Sequence, residues 1–289
     1  MNQTTLSREV PWTYSPTLPS TLSSRLRAQH RELKLKLAAL EKDYADLHKA
    51  LFEASQVHRR LCAPRLVRHG DVEIASEIFA VRYLPGDFFT IEEAGGCVII
   101  ALGDVCGKGL AAGMWTPCLV GLVRAHAAAS SESEAIVTGV NREFCRMGAP
   151  LTSLFLARLD PSTGRLEYCR AGHPPALLVR ADDRLESLSE GGMLLGMSPD
   201  ASFTTGRVDL RSGDVLLAYS DGVLESRNDL DEEFGYERLE AQLRLARSGT
   251  ASEVLFSVLG AVQDFAAPHA LVDDTSLVVV RAGSRSAAL

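Results

Sequence analysis

Five aspartates sit where apolar segments begin or end. Asp104 closes VIIALGD and Asp221 closes VLLAYSD, Asp273 and Asp274 lead into TSLVVV, and Asp87 opens FFTI. In an antiparallel sheet the end of one strand lies beside the start of its neighbour, so these carboxylates can gather on one rim. Clustered acids without cations repel and raise one another's pKa values. A divalent ion removes that conflict, and an all-oxygen set suits hard ions such as Mg²⁺ or Mn²⁺. Gly86, Gly103, Gly107 and Gly222 flank the acids. Glycine permits sharp turns and close approach of backbone to a ligand. A lone Asp-Gly is ordinary turn chemistry. An acid at the tip of each of several apolar strands is not, because turns need no buried strand leading into them.

These acids need elements to hold them. FFTIEEAGGCVIIALGD predicts a β-hairpin turning at Gly95-Gly96. VEIASEIFAVRY, SLFLARLD, RLEYCRAG, PALLVRA, DVLLAYSDG and DDTSLVVVRA read as further strands, with PSTG as a turn. GLAAGMWTPCLVGLVRAHAAA, EAIVTGVNREFCRM, YERLEAQLRLA and ASEVLFSVLGAVQDFA read as helices. Strands come in hairpins and helices in pairs, which is the pattern of an α+β fold with antiparallel sheets rather than alternating βαβ units. There is no internal repeat.

The N-terminal part differs. Residues 1–21, rich in Pro, Ser and Thr, predict a flexible tail. Over 22–64, apolar residues recur at alternating steps of four and three: Leu33, Leu37, Leu40, Tyr44, Leu47, Leu51, Ala54 and Leu61. His30 and His58 share that register. A 3.5-residue period held for about five heptads predicts a coiled-coil helix with a narrow apolar seam, and hence a homodimer or a docked partner. Packing on its own domain is the other reading. The two histidines are expected at a wet edge. Pro64 disfavours continuation of the helix. The main domain is expected over 65–283, with a short tail at 284–289.

The 289 residues carry a formal charge of −7. With no basic excess to neutralise phosphates, a nucleic-acid binder is disfavoured, and with it a metal-dependent nuclease. Six cysteines lack CxxC spacing, which argues against zinc ligation and for a reducing, cytoplasmic setting. Nothing near the N-terminus reads as a signal peptide, and no apolar run reaches the roughly 18 residues of a membrane span.

Six motifs then occur in order: PGDFF, LGDVCGKGLAAGM, AGHPPALLV, AYSDGVLESRN, EFGYERL and DDTSLVVVR. Together they resemble the bacterial SpoIIE/RsbU branch of metal-dependent type 2C Ser/Thr protein phosphatases, over about residues 65–283. The resemblance implies an αββα sandwich, two antiparallel sheets flanked by helix pairs, and a centre of two Mn²⁺ or Mg²⁺ ions. It implies that Asp104 bridges the ions, with the Val105 carbonyl as a further ligand. Asp87, Asp221 and the tandem Asp273 and Asp274 complete the set, Asp273 being favoured as the direct ligand. It implies hydrolysis of phosphoserine or phosphothreonine by water, without a covalent phosphoenzyme. The implied substrate is a phosphorylated STAS-type anti-sigma-factor antagonist in a bacterial partner-switching pathway. The stretch before residue 65 leaves no room for a sensor domain, so signals are expected through the N-terminal helix or a regulatory protein bound to it.

The sequence departs from the family pattern at two points. Pro85 stands where the first motif commonly has glycine, and Lys108 stands in a loop that often reads Ser-Gly-His-Gly. Lys108 is read as solvated or as drawing in a phosphate. These departures leave open a catalytically weak module that only binds a phosphoprotein. Gly86, Gly107, Lys108, Gly222 and Thr275 are expected to support the site or contact substrate. His173 is read as shaping its loop rather than as a general acid, and Cys106 as a buried, inert thiol.

Overall fold

A computed structural model describes residues 20–61, 66–81 and 83–283. The expected tails fall mostly outside these residues, as does the junction at 62–65. Of the described residues, those up to Ala50 form one compact unit and those from Leu51 onward another.

Helix α1 runs Ser20–Leu61, starting just inside the expected tail. Its Ala, Leu, Lys, Glu and Arg residues are strong helix formers. In the first unit, Leu33, Leu37, Leu40, Tyr44 and Leu47 are between 56% and 65% exposed.

In the second unit the last turns of α1 are buried through Ser55 and His58. This corrects the wet-edge expectation for His58. Its Nε2–H donates to the Thr116 hydroxyl on helix α2 (Leu110–Ala129), and that hydroxyl donates to the Gly113 carbonyl at 3.0 Å. The packed face carries Leu51, Ser55 and His58, whereas seam residue Ala54 is exposed. Burial lowers the His58 pKa below its usual 6.5, so the neutral ring is the folded form. The stability it contributes is full above pH 6.5 and is lost as pH falls through its lowered value. In a Trp12→Phe background, Trp115 fluorescence should shift on mild acidification. His58→Gln should remove the shift, and a shift that persists would assign it elsewhere.

Among the described residues, the remaining strands form two sheets. One has the order β1-β2-β12-β11-β7-β8 and the other β10-β6-β5-β4-β3. The strands are β1 Leu66–His69, β2 Val72–Phe79, β3 Asp87–Ala94, β4 Cys97–Val105, β5 Thr152–Leu159, β6 Arg165–Ala171, β7 Ala176–Val179, β8 Leu185–Leu188, β9 Gly191–Gly192, β10 Gly206–Asp209, β11 Val215–Tyr219 and β12 Thr275–Ala282. All pairs are antiparallel except a two-residue parallel contact of β9 with β6, a small departure from expectation.

Helices α2 and α3 (Ser133–Met147) cover the β3–β6 sheet. Helices α5 (Gly235–Ala246) and α6 (Ala251–Ala266) cover the other. The result is the four-layer αββα sandwich.

Strand β4 shows why this sequence adopts that arrangement. Val98, Ile100 and Leu102 enter the core between the sheets, while Ile99, Ala101 and Val105 face α2 and α3. With both faces buried, the strand must read as a continuous apolar run. β12 repeats the logic, with Val278 and Val280 between the sheets and Leu277 and Val279 under the helices. Gly103 is required on β4 because a Cβ there would lie 2.2 Å from the Ser153 carbonyl and 2.6 Å from the Phe88 ring. Gly95 and Gly96, with φ of 58° and 75°, turn the β3–β4 hairpin as expected.

Candidate metal centre

The hairpin register sets the first pair of acids. Asp87 and Asp104 are direct cross-strand partners on β3 and β4. The opposite sheet supplies the rest. Asp221 does not end β11, as the sequence suggested. The strand stops at Tyr219, and Asp221 opens a four-residue helical turn, α4, Asp221–Leu224. Asp273 and Asp274 stand just before β12, which pairs with β11 and so brings them to the same rim.

The electrostatics follow from this convergence. Burial, then the charges of Asp221, Asp273 and Asp274, push the Asp104 carboxyl up to about 7. Asp87 is held well above the usual carboxylate range by burial and by Asp104, against the pull of the Ser276 and Ser220 hydroxyls. Asp221 is raised by burial and by Asp273. Acids this strongly shifted in one cluster mark a functional site.

Each acid also has a protein partner. Asp87 accepts from the Ser276 hydroxyl at 2.6 Å. Asp274 spends its two oxygens on the Val81 and Gly86 amides, each at 2.9 Å. The N–H that matters in this turn is therefore Gly86's, and Pro85 at the preceding position removes nothing from it. Lys108 is neither merely solvated nor unpaired, because its ammonium lies 2.7 Å from Asp273. Thr275 is buried, and its hydroxyl donates to the Asp273 carbonyl at 3.5 Å, a weak support.

Small residues make room for this packing. A Cβ on Gly86 would come within 2.8 Å of an Asp104 carboxylate oxygen and 3.1 Å of the Val105 carbonyl. A Cβ on Gly222 would sit 2.1 Å from the Asp274 carbonyl oxygen. Gly107 has φ +120°, a conformation side chains rarely adopt. Cys106 is exposed rather than buried; partial burial and the charges of Asp104 and Asp221 push its thiol pKa up, which disfavours a reactive thiolate.

All the acids singled out in the sequence thus share one rim. Among the described residues, no three His, Cys, Asp or Glu groups close on a single point as a finished ligand shell. The donor set nevertheless fits hard divalent cations: carboxylates and a backbone carbonyl, with mutual repulsion that a cation would relieve. Sequence reasoning missed Ser220 and Ser276, which join the two sheets behind Asp87. Ser220 Oγ accepts the Ser276 amide at 3.0 Å, and Ser276 in turn holds Asp87. A buried serine interrupting each of two valine- and leucine-rich runs was the available signal.

Two packed antiparallel sheets between helix pairs, with an acid-lined rim fed by both sheets, define the type 2C phosphatase fold class. The model of the family described as Stage II sporulation protein E (SpoIIE) matches residues 94–283, and the chain belongs to that family. Asp87 lies outside the matched span, and its place in the site rests on its register with Asp104. Phosphoserine phosphatase RsbU of Bacillus subtilis is 23% identical over 233 residues, 79% of this chain and 68% of the relative. Protein IcfG of Synechocystis is 26% identical over 205 residues, 60% of this chain. The match spans about a third (32%) of the length of IcfG. Among solved structures, the SiaA-PP2C domain of Pseudomonas aeruginosa has a TM-score of 0.72 at 18% identity, covering 82% of this chain and 97% of that one. The catalytic domain of the phosphatase PstP, solved with 2 manganese ions, has a TM-score of 0.53 at 17% identity, covering 74% and 99%. No helix of the described residues is long and apolar enough to cross a membrane.

Proposed function

We propose that the chain is a Mn²⁺- or Mg²⁺-dependent protein phosphatase acting on phosphoserine or phosphothreonine. One observation carries this reading: carboxylates from two different sheets converge on a rim where Asp273 and Lys108 remain 43% and 52% exposed. In this reading Asp87, Asp104, Asp221, Asp273 and the Val105 carbonyl would hold the ions. Asp274 holds the loop at Val81–Gly86 in place. Bound there, the ions would neutralise the acids, polarise a phosphoryl oxygen and lower the pKa of water so that it attacks phosphorus near neutral pH. Burial and mutual repulsion raise the pKa values of Asp87 and Asp104, so protons compete with cations for this pair and metal binding is expected to weaken as pH falls. Lys108 stands at the mouth as a cation that an incoming phosphate can approach.

The substrate in this reading is a phosphorylated STAS-type anti-sigma-factor antagonist. Membership of the SpoIIE family and the likeness to RsbU support it. The test is hydrolysis of p-nitrophenyl phosphate and of a phosphoserine protein with Mn²⁺, against EDTA. Metal-dependent turnover is expected. A folded, Mn²⁺-loaded protein inert on both would overturn the reading in favour of a phosphoprotein-binding module.

The seam of α1 supports a homodimer, since every large apolar position from Leu33 to Leu47 is exposed in the single chain. A parallel second copy would cover these positions knob into hole. A regulatory protein acting on this helix would then act on a dimer. Sedimentation should give twice the 31.2 kDa chain mass. Leu37→Lys with Leu40→Lys should halve it, and an unchanged mass would remove the seam from the interface.

A further inference from the structure

The proposed metal centre draws its acids from two sheets, so something must hold the sheets in register at that rim. The chain passes from one sheet to the other between β6 and β7, and His173 sits in that crossover, 1% exposed. Gly172 enters it in the left-handed region at φ 63°, Pro174 and Pro175 follow, and Arg170 donates to the His173 carbonyl at 2.8 Å. The imidazole is therefore fixed from its own backbone outward.

One of its nitrogens is tied to the β3–β6 sheet. Nδ1 lies 2.8 Å from the Ser153 hydroxyl. Ser153 is the β5 partner of Asp104 in register, and its Oγ accepts the Asp104 amide at 3.2 Å. Nε2 is buried, with no partner in hydrogen-bond geometry among the described residues. The Tyr219 carbonyl raises the ring's proton affinity, and with Nδ1 taken by Ser153 it is the acceptor left for Nε2. Tyr219 ends β11, two residues before Asp221.

We propose that His173 is a positioning residue that bridges the two sheets and sets the separation of Asp104 from Asp221. This rests on the reading of those acids as metal ligands. Burial keeps the ring neutral, with its pKa lowered to about 3. A neutral imidazole donates at one nitrogen and accepts at the other. The arrangement that sets a donor toward the nearest acceptor puts the proton on Nε2, on the side of the Tyr219 carbonyl. Ser153 then donates its hydroxyl proton to Nδ1 and accepts the Asp104 amide. The opposite tautomer would set a lone pair against the Tyr219 oxygen. Neighbours that orient metal ligands are typically worth about 10–100-fold in metal affinity or activity.

The test compares wild type, His173→Ala, His173→Asn, Ser153→Ala and the His173→Ala/Ser153→Ala pair. The readouts are Mn²⁺ affinity by calorimetry and, separately, kcat and KM. His173→Ala should bind Mn²⁺ about 10–100-fold more weakly and lose kcat while KM for p-nitrophenyl phosphate holds. His173→Asn keeps a group near the Nδ1 position and should fall between. Adding Ser153→Ala to His173→Ala should cost less than the sum of the singles, because both act on Asp104 through one chain of bonds. Imidazole ¹⁵N shifts of the metal-free wild type should show Nε2–H with Nδ1 bare. Unchanged Mn²⁺ affinity in folded His173→Ala, or an Nδ1–H tautomer, overturns the inference. If His173→Ala does not fold, unchanged affinity in both His173→Asn and Ser153→Ala overturns it. Wild type that binds Mn²⁺ but hydrolyses nothing defeats the phosphatase reading, while the calorimetry still decides the role of His173.

Discussion

Asp104→Asn is expected to abolish Mn²⁺-dependent hydrolysis of phosphoserine, by at least about a thousandfold in kcat, roughly 4 kcal/mol in the barrier. The same change is expected to stabilise the metal-free protein at pH 8. The two effects have one origin. Asp104 is largely buried and feels the charges of Asp221, Asp273 and Asp274, so its carboxyl is held at about 7 rather than its usual 3.8. A folded-state pKa above the unfolded value means the protonated acid is the form that folding favours. That contribution is full below about pH 4 and is lost as pH rises through about 7. Metal-free wild type should therefore melt lower at pH 8 than at pH 5, and Mn²⁺ should recover the difference. In Asp104→Asn the pH step should flatten and the Mn²⁺ gain should shrink. Thermal melts in EDTA and in Mn²⁺ at both pH values measure all of this. A variant retaining Mn²⁺-dependent turnover would remove Asp104 from the metal centre.

Gly222→Ala is expected to damage the site without touching a carboxylate. Its Cβ would stand 2.1 Å from the Asp274 carbonyl oxygen and 3.5 Å from the Thr275 hydroxyl. The first contact is backbone and cannot rotate away, so either α4 or the start of β12 must shift. The shift moves Asp221 away from Asp273. The expected cost is about 3 kcal/mol in stability, at the upper end for overpacking, and about a hundredfold in turnover. Gly260→Ala is the matched control. It lies within α6, and its Cβ meets nothing within 4 Å. There alanine should be neutral or stabilise by about 0.5–1 kcal/mol. Urea melts and kinetics on the two variants separate crowding at the site from a general effect of losing glycine. Equal behaviour of the two would defeat the argument.

What the sequence disclosed follows from burial. β4, β11 and β12 are covered on both faces, so their apolar runs stood out, and the paired glycines marked the hairpin turn. The short strands β1, β8 and β10 were missed. They have mixed burial and charged residues such as Arg68, Glu186 and Arg207, so no periodic signal survives over four residues. The acids were legible because each interrupts or borders a hydrophobic run. Their partners were not. Lys108 meets Asp273 across 165 residues, and Asp274 meets Gly86 across 188, distances no local pattern encodes. His58 misled because a heptad register describes a seam, while the last turns of α1 obey the packing of a different face. Asp221 was placed on a strand because Ser220 and Asp221 extend an apolar run past the point where the backbone turns into α4.

Strand β12 is slotted between β2 and β11, although it follows both in the chain by many residues. During synthesis on the ribosome, β2 and β11 therefore emerge with facing edges unpaired. Such edges invite pairing with other chains until they are filled. Only when Thr275–Ala282 leaves the exit tunnel can the gap close. At that moment Ser276 reaches Asp87, Asp274 reaches Gly86, and Asp273 joins Asp221. The order of translation thus sets the order of assembly: the acids of the rim come together only after the last strand has entered its slot.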